Sequence, residues 1–295
     1  AWRKRTQGTS WYNETLGTGT RGSRKEFPAV AVIVAESTQL TIYDGDDPAM
    51  PMWMVFNAGG GYPSTYALGE TGWGGPNAVV MLNGTLCTPR GAGGLPHMSF
   101  IDDACYRIST DGLHSLAGGV AVRNSGMADT ISNSSKTIVN GTCNDVAMTV
   151  LPNAPIDAGT GLPVPTIAVA TAAGTSIIRD NGTVANYKYT WSTVRSTGVG
   201  FGNQAFSQMM HTAYSSAGTG LVVYDYVGSG DSASSNLLGT LREYHNGTVP
   251  AIGVSGSSIG KHQQISDTEH AIGNVQYMAL LDEDPVTPAN GMVAY

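Results

Sequence analysis

The residues of this chain whose types could do chemistry are three acidic clusters and six histidines. Asp44, Asp46 and Asp47, within Asp44-Gly-Asp-Asp47, could offer oxygen ligands to a calcium ion. Their order does not fit an EF-hand loop, because the glycine comes too early and no glutamate stands at the required distance. The alternative is a solvated turn. Asp102-Asp103 and Asp282-Glu-Asp284 add carboxylates, but a glycosidase pair is defined by its separation in space, which sequence does not give. His97, His114, His211, His245, His262 and His270 form no His-x-x-x-His or His-Glu-x-x-His group. A Gly-x-Ser-x-Gly elbow is absent, which argues against a serine hydrolase. Gly198-Val-Gly-Phe-Gly202 lacks the spacing of a dinucleotide loop. Asp111-Gly112 after Ser109-Thr110 is a partial Asp-box without its terminal aromatic, and the WD and kelch signatures are missing. No enzyme, no resident cofactor and no catalytic metal is expected.

Cys87, Cys105 and Cys143 have no Cys-x-x-Cys spacing and read as small buried hydrophobes. Six sequons begin at Asn13, Asn83, Asn133, Asn140, Asn181 and Asn246. Four are Asn-Gly-Thr, the pattern of a turn feeding a strand, and they are read as turns.

The elements that must position these residues are strands. Of 295 residues, 41% are hydrophobic and only 13% charged, with 39 Gly and 14 Pro. That is enough for a sizeable core, and it is the composition of an all-β chain. Ile167–Ala170 and Ser176–Ile178, separated by a break around Gly174 and closed by Asp180-Asn-Gly182, predict a hairpin. A lone hairpin cannot bury its apolar face, so copies are needed. Residues 31–45 have the same layout, 82–103 repeat it with a longer Gly-rich break, and weaker echoes lie at 117–124, 211–226, 251–262 and 290–295. Their recurrence at roughly 40 residues from Thr171 onward, about seven in all, predicts a β-propeller of four-stranded blades. Val32, Val34, Val80, Val169 and Val222 are expected to be buried, and Met292–Tyr295 to close the ring against Ala29–Ala35. Ser266-Asp-Thr-Glu269 matches a capping box, so the stretch with Ala271, Ile272, Val275 and Met278 is either a helix or a polar loop followed by a strand over Asn274–Leu281. Pro48–Phe56 reads as a core strand.

Net charge is −7, which disfavours nucleic acid as a partner. Residues 1–26 hold six basic residues against Glu14 and Glu26, a net of +4, which leaves −11 for the remainder. Residues 1–28 are therefore expected to be a basic arm leading into a propeller domain over 29–295. The arm would dock on an acidic neighbour or another copy, with Trp11 and Tyr12 as anchors beside Arg21, Arg24 and Lys25. No apolar run is long enough for a membrane span, and the polar residues after Trp2-Arg-Lys-Arg5 do not form a signal peptide. The chain ends inside a strand-like run at Tyr295, as expected for a piece of a longer protein.

Trp11–Pro28, Thr41–Asp47, Pro51–Phe56, Asn144–Pro155, Val164–Gly182 and Asp284–Tyr295 together resemble large virion proteins encoded by tailed phages of marine bacteria. In such proteins this region resembles a propeller of the two-component-regulator type, often beside lectin-like sandwiches. The resemblance covers most of the chain, most weakly residues 57–76 and 190–270. It implies a structural, tail-fibre-like role in assembly or host attachment, located in the virion. Its partners would be other copies, other virion proteins or host surface glycan, and it supplies no catalytic residue. A glycan-degrading tailspike-type enzyme and a protein-binding propeller scaffold are the alternatives.

Overall fold

A computed structural model describes residues 2–61, 64–188, 195–201, 208–215, 218–225, 242–244, 261–264, 269–273, 278–283 and 292–294. Among the described residues the chain is all-β, with only single 3-10 turns beside the strands. It divides into two compact units, residues 1–143 with 155–164, and residues 144–154 with 165–295.

In the first unit, β1 (Ala31–Ala35), β2 (Gln39–Asp44) and β3 (Met52–Asn57) form one antiparallel sheet in that order. Residues 18–22 lie along the other side of β3. The Gly22 amide donates to Trp53 O at 2.9 Å, the Val55 amide to Thr20 O at 3.0 Å, and Arg21 bridges Met54. The N-terminal segment thus acts as a fourth strand. The expected basic arm over 1–28 is instead packed into the unit, with Trp11 and Phe27 buried in the same cluster as Trp53, Phe56 and Phe100. Trp11 is fully buried, and its ring lies edge-on to Trp53 and Phe100, with centroids 5.5 and 5.7 Å away. Its indole N–H donates to Phe100 O at 2.8 Å.

The second sheet of this unit is a meander: β6 (Val80–Leu82), β7 (Thr85–Cys87), β8 (Leu95–Ser99), β9 (Ala104–Ile108), β10 (Leu113–Leu116) and β11 (Met127–Asn133). It continues from β11 to β5 (Ser64–Thr65) and β4 (Gly60–Gly61). Asn83 and Gly84 form the two-residue turn between β6 and β7, both at positive φ (49° and 79°). That is the type I′ geometry Asn-Gly favours. The echo expected at 117–124 is not a hairpin but a 3-10 turn, Val120–Val122, anchored by Asp103.

The second unit contains three four-stranded antiparallel sheets, each a meander in chain order and so a propeller blade in topology. They are β12 (Cys143–Thr149) to β15 (Val184–Lys188), β16 (Arg195–Phe201) to β19 (Arg242–Tyr244), and β20 (Lys261–Gln264) to β23 (Met292–Ala294). The expected hairpin is β13 (Thr166–Thr171) paired with β14 (Gly174–Ile178). β13 is buried along its whole length, as a central strand covered on both faces must be. Gly174 has φ of 143°, and a Cβ there would meet Tyr187 O at 2.0 Å. The small residues Ala168, Ala170 and Ala185 let Val199 and Phe201 of β16 pack close.

Several expectations need correction. Val32 and Val34 are 37% and 38% exposed and Val80 is half-buried, because β1 and β6 are edge strands covered on one face only. Val169 is fully buried, and the side chain of Val222 lies outside the described residues. Met292–Ala294 pairs with β22 (Met278–Glu283) as the fourth strand of its own sheet, not with Ala29–Ala35. Of the two readings left open after Ser266, the described residues are strands, Glu269–Gly273 where a loop was the alternative to a helix and Met278–Glu283 beyond it, while residues 266–268 and 274–277 lie outside the described residues. The described residues form five sheets, three of them four-stranded.

Candidate functional site

The five residues expected to make partner contacts separate by burial. Trp11 and Arg21 are fully buried and offer no surface. Arg21 stacks over Trp53 at 4.4 Å and donates to Trp53 O and Lys25 O. Tyr12 is half-buried and Lys25 exposed. The Lys25 ammonium lies 5.5 Å from the Tyr12 ring centre, and the Tyr12 hydroxyl donates to Glu26 at 3.1 Å. That hydrogen bond and the nearby carboxylate raise the phenol's pKa. Arg24 Nη1 reaches both Asp44 oxygens at 2.9 Å and Asp46 at 2.8 Å.

The oxygens considered for calcium are therefore engaged by a guanidinium. Asp46 also accepts the Ala29 and Val30 amides, and these bonds hold its pKa down to about 2. Asp47 caps the Ala49 amide. Among the described residues no three His, Cys, Asp or Glu side chains are grouped as metal ligands. Asp103 is a staple: its carboxylate takes the Ser10 amide, the Ser10 hydroxyl and the Val120 amide.

Sequence reading missed one buried charged cluster. His114 touches Asp129 through Nδ1 at 2.6 Å and Asp111 through Nε2 at 2.9 Å. Arg107, its cross-strand partner, reaches Asp129 at 2.7 Å and lies over Trp73 at 5.1 Å. Both imidazole nitrogens are engaged by carboxylates. The geometry suits a buried network that fixes the β9–β10–β11 register. Only the cross-strand register, absent from sequence, brings these residues together. The three cysteines are buried thiols, as expected; burial pushes those of Cys105 and Cys143 up to about 12.

A groove of about 610 Å³ opens between β1 and β6, with Trp2, Phe27, Ala31, Ile33, Val80 and Met81 among its walls. Arg3 stands among the lining residues, within the single 3-10 turn Trp2–Arg5. Arg3, Lys4 and Arg5 make no ion pair among the described residues; Arg5 donates only to Gly159 O at 3.2 Å. Both flanking strands end their sheets, so each has one edge unpaired among the described residues. The face of β1 turned away from the core is apolar: Val30, Val32 and Val34 are 58%, 37% and 38% exposed.

No protein-family model matches the chain, and no curated protein does. Solved structures similar to it include the Neurospora crassa Pan2 WD40 domain, with 7% identity, TM-score 0.38, and coverage of 88% of this chain and 74% of that one. Kluyveromyces lactis Hsv2p has 10% identity and TM-score 0.35, covering 90% of this chain and 93% of its own. The extracellular domain of a protein described as a one component system from B. thetaiotaomicron has 10% identity and TM-score 0.37, covering 94% of this chain and 34% of its own. The blade topology rests on the strand order within the three four-stranded sheets. Among the described residues no helix is long and apolar enough to cross a membrane.

Proposed function

We propose that the chain is a non-enzymatic, protein-binding module of a tail-fibre-like virion appendage, used in assembly or host attachment. The resemblance of its segments to virion proteins of tailed phages supports the setting. The observation that carries the binding role is the groove beside β1, where strand edges unpaired among the described residues meet Arg3, in a basic turn, Arg3-Lys-Arg5, that makes no ion pair among them. Unneutralised basic residues beside exposed apolar surface mark a contact site for an acidic partner. This narrows the basic surface from the whole 1–26 segment to its first turn and Lys25. The partners would be other copies or other virion proteins.

Antibodies against the chain should decorate an appendage of intact particles of the phage that encodes it. Binding of purified virion proteins should weaken with salt, and R3E/K4E/R5E should slow association and flatten that salt dependence. Absence of decoration, or depolymerisation of host surface glycan by the purified chain, would overturn the reading.

A further inference from the structure

The β1 edge is built as strands that natural proteins keep covered. Ala31-Val-Ile-Val-Ala35 carries no charge and no proline, and its register with β2 runs without a bulge from Ala31↔Asp44 to Ala35↔Leu40. Charge, proline and bulges are the usual protections of an open edge, and an edge lacking all three pairs with whatever strand it meets.

The pairing parity shows which backbone groups are open. The Gly45 amide donates to Val30 O at 2.9 Å, and the Glu36 amide to Gln39 O at 2.8 Å. These fix residues 30, 32, 34 and 36 as those that bond across to β2. Ala31, Ile33 and Ala35 therefore turn their amide and carbonyl groups to the unpaired edge. Ala31 and Ile33 line the groove. On β6, the two-residue turn makes Leu82–Thr85 the closing bonded pair, so Met81 turns its backbone outward as well.

The groove's polar content points away from a small polar ligand. Apart from Arg3, the polar side chain in its lining is Asn83, whose amide already donates to Pro163 O at 2.8 Å. The rest is apolar wall, a row of backbone donors and acceptors, and one cation.

Resting on the protein-binding role proposed for this groove, we infer that β1 accepts a strand: an extended segment of another polypeptide, apolar at alternate residues and acidic at one end, adds antiparallel or parallel to its edge. Main-chain hydrogen bonds to Ala31, Ile33 and Ala35 supply affinity, and alternate side chains enter the groove against Trp2, Phe27, Val80 and Met81. The acidic end meets Arg3. A five-residue strand spans about 17 Å, so about five to seven residues of the partner are engaged.

A displayed library of random nonapeptides, panned on the intact chain, tests this. Enriched peptides should alternate apolar residues and end in Asp or Glu. A synthetic winner should lose binding at least tenfold when its alternate amides are N-methylated, a change that leaves the protein untouched. A31P, at the first strand position, where proline is tolerated, should cause a similar loss. No enrichment, or unaffected binding by the N-methylated peptide, overturns strand addition. The two readings fail separately. If R3E/K4E/R5E weakens virion-protein binding while A31P leaves it intact, the protein-binding role stands and the strand mode falls.

Discussion

Arg123 donates from Nη1 to Glu14 across 109 positions of sequence, at 2.9 Å from the carboxylate. The same guanidinium donates to Val55 O, Val120 O and Thr20 O, so it ties the N-terminal segment to β3 and the Val120 turn. Arg21 shares the carboxylate at 3.6 Å. Two buried arginines thus rely on one glutamate. Glu14→Ala should cost about 3–5 kcal/mol, because removing one partner strands the buried charges of the other; urea denaturation measures it. Burial holds the Glu14 carboxyl above its usual 4.5, although Arg123 and Arg21 pull it down. The folded state therefore keeps this proton to higher pH than the unfolded chain does. Stability should fall as pH rises from about 4.5 to the raised value and level off above it. Glu14→Gln should remove that part of the slope.

Deleting residues 1–26 should unfold the first unit rather than free a trimmed one. The deletion removes Trp11 from the core, the Arg21 bridge and the Thr20 and Gly22 contacts to β3. Trp11→Ala alone should cost about 3–5 kcal/mol, the usual range for emptying a buried aromatic site. Near-ultraviolet circular dichroism of the deletion variant checks the larger claim. A native-like aromatic spectrum would show that the segment is dispensable.

Legibility in the sequence was a matter of range. The β13–β14 hairpin is local, set by apolar runs around Gly174 and closed by Asn181-Gly182, so its pattern could be read directly. The Asn83-Gly84 turn is legible for the same reason. The role of residues 1–28 was not, since a basic, glycine-rich segment reads as solvated until Trp53 and Phe100 are placed around Trp11. Arg21 and Arg123 look like surface charges in sequence, and only Glu14 and the carbonyls they reach explain their burial. The valines of β1 misled because apolar alternation does not say whether a strand lies at the centre or at the edge. The groove is invisible in sequence because Trp2, β1 and β6 meet only in space.

His97 offers an independent pH handle. Its half-buried ring stacks on Tyr106 with centroids 5.0 Å apart, and Nδ1 has no hydrogen-bond partner. Burial pushes its pKa down to about 4. The unfolded chain then binds a proton that the folded state refuses, so stability is lost as pH falls from about 6.5 to about 4. His97→Phe keeps an aromatic ring for the stack and removes the titration. The stability difference between parent and variant should change across that window and be constant above it. A difference independent of pH would show that His97 titrates normally.

The last expectation concerns solubility. Val32 and Val34 project from an unprotected edge strand with 37% and 38% of their surface in water. Such a strand is a template for pairing with a second copy, and charged residues, lysine above all, are what natural edges use to prevent it. Since both side chains reach solvent and a lysine stem can cover the apolar surface they cover, Val32→Lys and Val34→Lys should change stability by less than about 1 kcal/mol. Both should raise the concentration at which light scattering detects self-association. The backbone groups of Ala31, Ile33 and Ala35 stay available in these variants, so selected peptides should still bind. Equal self-association of parent and variants would show that the β1 edge is already covered within the chain itself.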